Sequence, residues 1–173
     1  MLVAIVLFSA ALAEPSGGSA DPLAPASKGW LQCYRPDERA RTCRSIAAYR
    51  RLEGSNYINT AQVLVLPSGP TVLETATAVQ VRDGAVCGTI RNEDLTAGVL
   101  RIGGRALTAA QAAPRLAGRA QAMAPLLNKE ICTVYERSAR GLTAKVSIDG
   151  AYHPSGDQPV KWVRPGEGYK VSP

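Results

Sequence analysis

Cys33, Cys43, Cys87 and Cys132 are the only cysteines in the 173-residue chain, and their spacing limits the chemistry open to them. No two form a C-x-x-C pair, so neither a thioredoxin-type redox site nor a zinc ribbon is supported. A cysteine nucleophile needs a histidine to activate it, and the chain has one, His153. Cys87, in Ala85-Val86-Cys87-Gly88-Thr89, is the least implausible nucleophile, but structural disulfides explain an even cysteine number better. Four cysteines allow three pairings. The preferred set is Cys33–Cys43, around Pro36-Asp37-Glu38, and Cys87–Cys132, which ties two apolar segments together across a long helix. Chain entropy gives these roughly 3 and 4 kcal/mol of stabilisation.

The other reactive side chains support little. His153 lies in the polar run Tyr152-His153-Pro154-Ser155-Gly156-Asp157. A Ser-His-Asp triad would have to use it, and G-x-S-x-G is absent. Asp37/Glu38 and Glu93/Asp94 are adjacent carboxylates that point apart, which suits turn and helix-start chemistry. A glycosidase would have to recruit two distant carboxylates instead. The glycines match neither a phosphate loop nor a dinucleotide fingerprint. We therefore expect no catalytic, cofactor-binding or metal-ligating residues and no cofactor. Trp30, Tyr34, Tyr49, Tyr57, Tyr135, Tyr152, Trp162 and Tyr169 include candidates for a carbohydrate or peptide platform, although most suit a core.

The formal net charge is +6. Arg35, Arg39, Arg41, Arg44, Arg50 and Arg51 are its densest cluster and a candidate patch for an anionic partner, such as an acidic component of the cell envelope. A solvated face is the plainer reading. The cluster lacks interleaved aromatics, so nucleic acid is not the expected partner.

Met1 is followed by an apolar run to Phe8 and then by Ser9-Ala10-Ala11-Leu12-Ala13. This is the pattern of a signal peptide, residues 1–13, cleaved at an A-x-A site. It lacks the usual Lys or Arg ahead of the run. It is too short to span a bilayer, which takes about 20 apolar residues. Cleavage would deliver the chain, periplasmic or secreted, to a compartment where disulfides persist. Residues 14–29 are rich in Pro, Gly, Ser and Ala and read as a flexible leader. Residues 30–173 suffice for a single domain, not membrane-spanning after cleavage.

The elements that must position these groups are mostly strands. Apolar runs over 30–34, 60–66, 71–82, 85–90, 131–137, 142–148 and 160–164 are separated by turn residues, and 43–52 reads as strand or helix, with strand preferred. Thr75, Thr77, Val79 and Val81 share one face at period two. Asp83-Gly84 is a strong hairpin signal, Gly103-Gly104 marks a second, and residues 138–141 a third. Asn92–Leu95 should form one helical turn. Thr108 and Gln111 form a capping box at the start of a helix over 108–127, whose Ala109, Ala112, Ala113, Leu116, Ala120, Met123 and Leu127 fall on one apolar face. Pro125 should end it. These elements predict an α+β domain: an antiparallel sheet built from hairpins, one main helix packed on it, and two disulfides.

The function expected is that of an exported, disulfide-stabilised, non-enzymatic binding or accessory protein of the cell envelope. The alternative is a secreted hydrolase acting on envelope polymer through dispersed carboxylates.

Overall fold

The computed structural model of the chain describes residues 21–139 and 141–173. The signal peptide (1–13) and the first part of the leader (14–20) lie outside the described residues.

Thirteen strands and two α-helices follow in chain order: β1 (Leu31–Tyr34), β2 (Thr42–Cys43), β3 (Ser45–Arg51), β4 (Asn56–Leu66), β5 (Thr71–Arg82), β6 (Ala85–Thr89), α1 (Asn92–Thr96), β7 (Val99–Ile102), β8 (Arg105–Ala106), α2 (Ala109–Ala122), β9 (Glu130–Ser138), β10 (Gly141–Ile148), β11 (Ala151–Tyr152), β12 (Gln158–Val163) and β13 (Lys170–Val171). The turns hold as their residues dictate. Asp83 and Gly84 both take positive φ, 49° and 77°, as a type I′ turn between β5 and β6 requires. The capping box also forms: the Gln111 N–H donates to Thr108 Oγ1 and the Thr108 N–H to Gln111 Oε1. The helix runs on through Pro114, ends at Ala122, and passes into a 3-10 turn (Ala124–Leu126) around Pro125.

The expected α+β sheet with a helix on its face does not form, because the sheet closes on itself. Strands β1, β3, β4, β5, β6, β9, β10 and β12 make an eight-stranded antiparallel barrel. Each neighbour in the barrel is also the next barrel strand in sequence. Closure comes from β1 pairing with β12, with Gln32 opposite Trp162 and Tyr34 opposite Val160. Every barrel strand then has two neighbours within the barrel, so the barrel itself has no edge strand. Nor is there an open face for a helix to cover. The apolar side of α2 packs instead on one end of the barrel. There Ala112, Leu116 and Ala120 meet Leu73, Leu95 and Leu100, with Val65 and Ile90 against them.

The other end is closed by the start of the described chain. Leu23, only 1 % exposed, is buried with Tyr57 and Val86, and Tyr49, Tyr135 and Trp162 pack around them. The Tyr57 hydroxyl donates to Asp21 Oδ2 at 2.8 Å and the Leu23 N–H to Asp21 Oδ1. A short 3-10 turn (Ala24–Lys28) leads from this plug into β1. The last part of the segment expected to be a leader is thus packed against the barrel, through one leucine that composition did not single out.

Both disulfides are present, in the preferred pairing. Cys87 and Cys132 are direct cross-strand partners on β6 and β9. Cys33–Cys43 lies outside the barrel wall with the buried Val163, under Leu31, Ile46 and Tyr169. The C-terminal strand β13 covers this satellite core by pairing in parallel with β2.

Candidate functional site: the barrel interior

Alternation along each strand sends every second side chain inward. On β5 these are Leu73, Thr75, Thr77 and Val79; on β4 they are Asn59, Ala61, Val63 and Val65. The face at period two legible in the sequence is therefore the inner wall. At mid-height the register sets Ala47, Ala61 and Thr75 side by side, with Tyr49, Asn59 and Thr77 in the next layer. Gly88, on β6 beside Val79, and Thr133, on β9, continue the wall. Gly88 is required there: a Cβ would come within 2.8 Å of Val79 Cγ1 and 3.1 Å of the Ala78 carbonyl oxygen. An eight-stranded barrel has an interior just wide enough for its side chains to fill, or for one small ligand. With Ala, Thr and Gly at mid-height the side chains do not fill it. A cavity of about 270 Å³ remains, walled mainly by apolar groups, hydroxyls and tyrosine rings.

Towards the plugged end the cavity meets a polar cluster. Gln32 is fully buried. Its Oε1 accepts from the hydroxyls of Tyr34 and Tyr49, both at 2.8 Å, and of Tyr135 at 3.0 Å. The Tyr34 and Tyr135 hydroxyls are also 2.8 Å apart. Burial, reinforced by the neighbouring tyrosines, holds the Tyr34 and Tyr49 phenols well above the usual tyrosine range, so both stay neutral. Two polar atoms here are buried and lack a partner, Gln32 Nε2 and Asn59 Oδ1. Buried polar groups are nearly always hydrogen-bonded, so these two are exceptions.

The helical end holds the third. Arg119, on α2, lines the barrel cavity and also a second cleft of about 240 Å³ between α2 and the end of the β4–β5 hairpin, where Arg115 is exposed. Val65 and Leu73 border both spaces. Arg119 Nε is buried and unpartnered. Asp94 lines the same cavity, but its Oδ2 accepts from the Arg91 N–H in the first turn of α1.

The residues singled out from sequence scatter. Arg35, Arg39, Arg41 and Arg44 cluster around β2, all exposed; Arg50 and Arg51 sit at the far end of β3. Six residues of strand separate Arg44 from Arg50, roughly 20 Å, so the six do not form one patch. Arg41 Nη1 donates to the Glu167 carbonyl oxygen. His153 and Ser155 are exposed. Asp157 accepts from Lys145 Nζ at 2.7 Å and the Tyr152 hydroxyl at 2.6 Å, rather than serving a triad. Asp37 Oδ1 accepts from the Ala40 N–H in a turn, and Glu38 pairs with Lys161. Among the described residues no group of three His, Cys, Asp or Glu could hold a metal ion.

Sequence reasoning missed Gln32, Asn59, Ala61 and Arg119. Small residues at alternate positions of β4 and β5 are the one local sign of the cavity. Comparison with protein-family models, curated protein sequences and solved structures gives no significant match, so the function rests on the geometry of this chain.

Proposed function

We propose that this chain is an exported, non-enzymatic binding protein that holds one small, largely apolar molecule inside its barrel. The observation that carries the reading is the 270 Å³ cavity, whose lining includes Asn59 and Arg119, each with one buried polar atom that makes no hydrogen bond. Ligand sites have this composition: apolar walls with a few placed polar groups. A 150 Å³ cavity holds benzene, so this one suits a ligand of roughly eleven non-hydrogen atoms. Two disulfides fit an oxidising compartment, and among the described residues no helix is long and apolar enough to cross a membrane. An acidic envelope partner, if the protein delivers its ligand to one, would meet the arginines around β2.

The test is methyl-resolved NMR of the mature protein titrated with 1-octanol. Shifts confined to Ala61, Thr75, Thr77 and Thr133 support the reading. Shifts confined to surface methyls, or none, oppose it.

The hydrolase alternative keeps one observation. Glu74, Glu93 and Asp94 line a shallow cleft of about 320 Å³ on the outer wall. Release of reducing ends from purified envelope polymer, lost in Glu74→Gln, would favour it.

A further inference from the structure

Resting on the binding reading above, we infer that the ligand is a small amphipathic monocarboxylate, its carboxylate held by Arg119 at the mouth and its far end carrying a hydroxyl that donates to Asn59. Among the described residues Arg119 is the only cationic side chain lining the cavity. Its Nε is buried and makes no hydrogen bond, and among the described residues no acid lies within ion-pair distance of its side chain. The side chain is half-buried and only its Nε is shut off from water; a carboxylate at the cavity end matches the planar fork of the guanidinium. Asp94 is the one opposing charge on the cavity wall, and it is engaged at the start of α1. Arg115, one helical turn before Arg119 and lining the outer cleft, adds a second positive charge beside it.

The far end is set by Asn59. Its side chain lines the cavity and its Oδ1 makes no hydrogen bond, so a hydroxyl reaching this wall can pair with the amide. The register pairs Asn59 with Thr77 and Val63 with Leu73, and Leu73 borders the Arg119 cleft as well. Four residues separate Leu73 from Thr77, roughly 13 Å along the strand. With the usual barrel tilt this is roughly 10 Å along the axis. The wall between these poles is Ala, Val and Thr. A short alkyl chain or a single ring, acidic at one end and hydroxylated at the other, fits that order of groups.

The probes are octanoate, 8-hydroxyoctanoate and 1-octanol, measured by calorimetry on the mature disulfide-bonded protein, with interior methyl shifts read alongside. Octanoate should bind roughly tenfold or more tightly than 1-octanol, as a buried charge-assisted contact gives. Arg119→Met should erase that margin and leave 1-octanol binding in place, while Arg119→Lys should keep part of it. 8-Hydroxyoctanoate should bind more tightly than octanoate in the natural chain and not in Asn59→Leu. Equal binding of octanoate and 1-octanol, or a margin that survives Arg119→Met, overturns the inference but leaves the cavity reading intact. Interior methyl signals that none of the three probes moves overturn both.

Discussion

Leu23 is the residue whose role departs furthest from its surroundings in the sequence, and truncating it tests whether the barrel has a plug. In Leu23→Ala the side chain removed is almost fully buried, among Tyr57 and Val86 with Tyr49, Tyr135 and Trp162 around it. Full burial of a leucine contributes about 2 kcal/mol by transfer alone. The cavity left behind adds to this, because tyrosine and tryptophan rings anchored on strands cannot collapse far; Leu→Ala changes of this kind cost about 3–5 kcal/mol. The lower end applies here. A segment held by one leucine and the Tyr57–Asp21 hydrogen bond can detach, which caps the loss at what its docking contributes. We therefore expect a loss of about 3 kcal/mol, or roughly 6–12 °C in Tm for a chain of this size. Calorimetry measures it. Acrylamide quenching of Trp162 in a Trp30→Phe background reports whether that end of the barrel has opened. A Tm within about 1 °C of the parent, with quenching unchanged, would refute the plug.

Four further outcomes follow from the same geometry. Gln32→Leu removes the acceptor of three tyrosine hydroxyls and should cost about 2–4 kcal/mol in urea unfolding, against about 1 kcal/mol for Tyr49→Phe. Gly88→Ala should destabilise by about 1–3 kcal/mol, because the new Cβ meets the Val79 side chain and the Ala78 carbonyl. The paired replacement Cys87→Ser with Cys132→Ser opens a 45-residue separation and should lower stability by about 4 kcal/mol; equal stability to the parent would contradict the pairing. The pH profile should be a plateau with two flanks. Hydrogen bonds from Lys129, Lys145 and Arg164 hold the Asp149, Asp157 and Glu167 carboxyls below their usual range. Their contribution is present above about pH 4 and is lost as pH falls through the depressed folded values. Burial raises Tyr34 and Tyr49, so their contribution is present below about pH 10 and is lost as pH rises beyond it, where only the unfolded chain ionises freely. Thermal melts across pH, with tyrosinate absorbance followed on the alkaline side, check both flanks.

Local structure was largely legible in the sequence, because its causes are local. Period-two alternation over Thr75–Val81 marked an inner face. Asp83-Gly84 marked a turn and Thr108 with Gln111 a helix start, whereas the helix expected to run to 127 stops at Ala122, ahead of Pro125. The disulfide pairing followed from which strands could meet. Closure was not legible. It depends on Leu31–Tyr34 finding Gln158–Val163 across most of the chain, and neither segment carries a signal for the other. An open sheet under a helix and a closed barrel capped by a helix have the same local pattern. The site was hidden for the same reason. Asn59, Ala61 and Thr75 become neighbours only through register, Arg119 reaches the interior only because α2 packs on the barrel end, and Leu23 sits in a segment whose composition reads as linker. The arginine cluster divides along the fold: Arg35, Arg39, Arg41 and Arg44 lie around β2, and Arg50 and Arg51 at the far end of β3.

The central claim is that the barrel interior is a binding site. Native mass spectrometry of the mature protein, purified from its own host without denaturation and compared with Ala61→Phe, tests it most directly. Ala61 lies at mid-height between Ala47 and Thr75, so a phenyl ring there fills the cavity without disturbing Arg119, the plug or either disulfide. The account predicts a small-molecule adduct on the natural chain that denaturation removes and that Ala61→Phe lacks. A natural chain carrying no adduct, or one that Ala61→Phe retains, would contradict it.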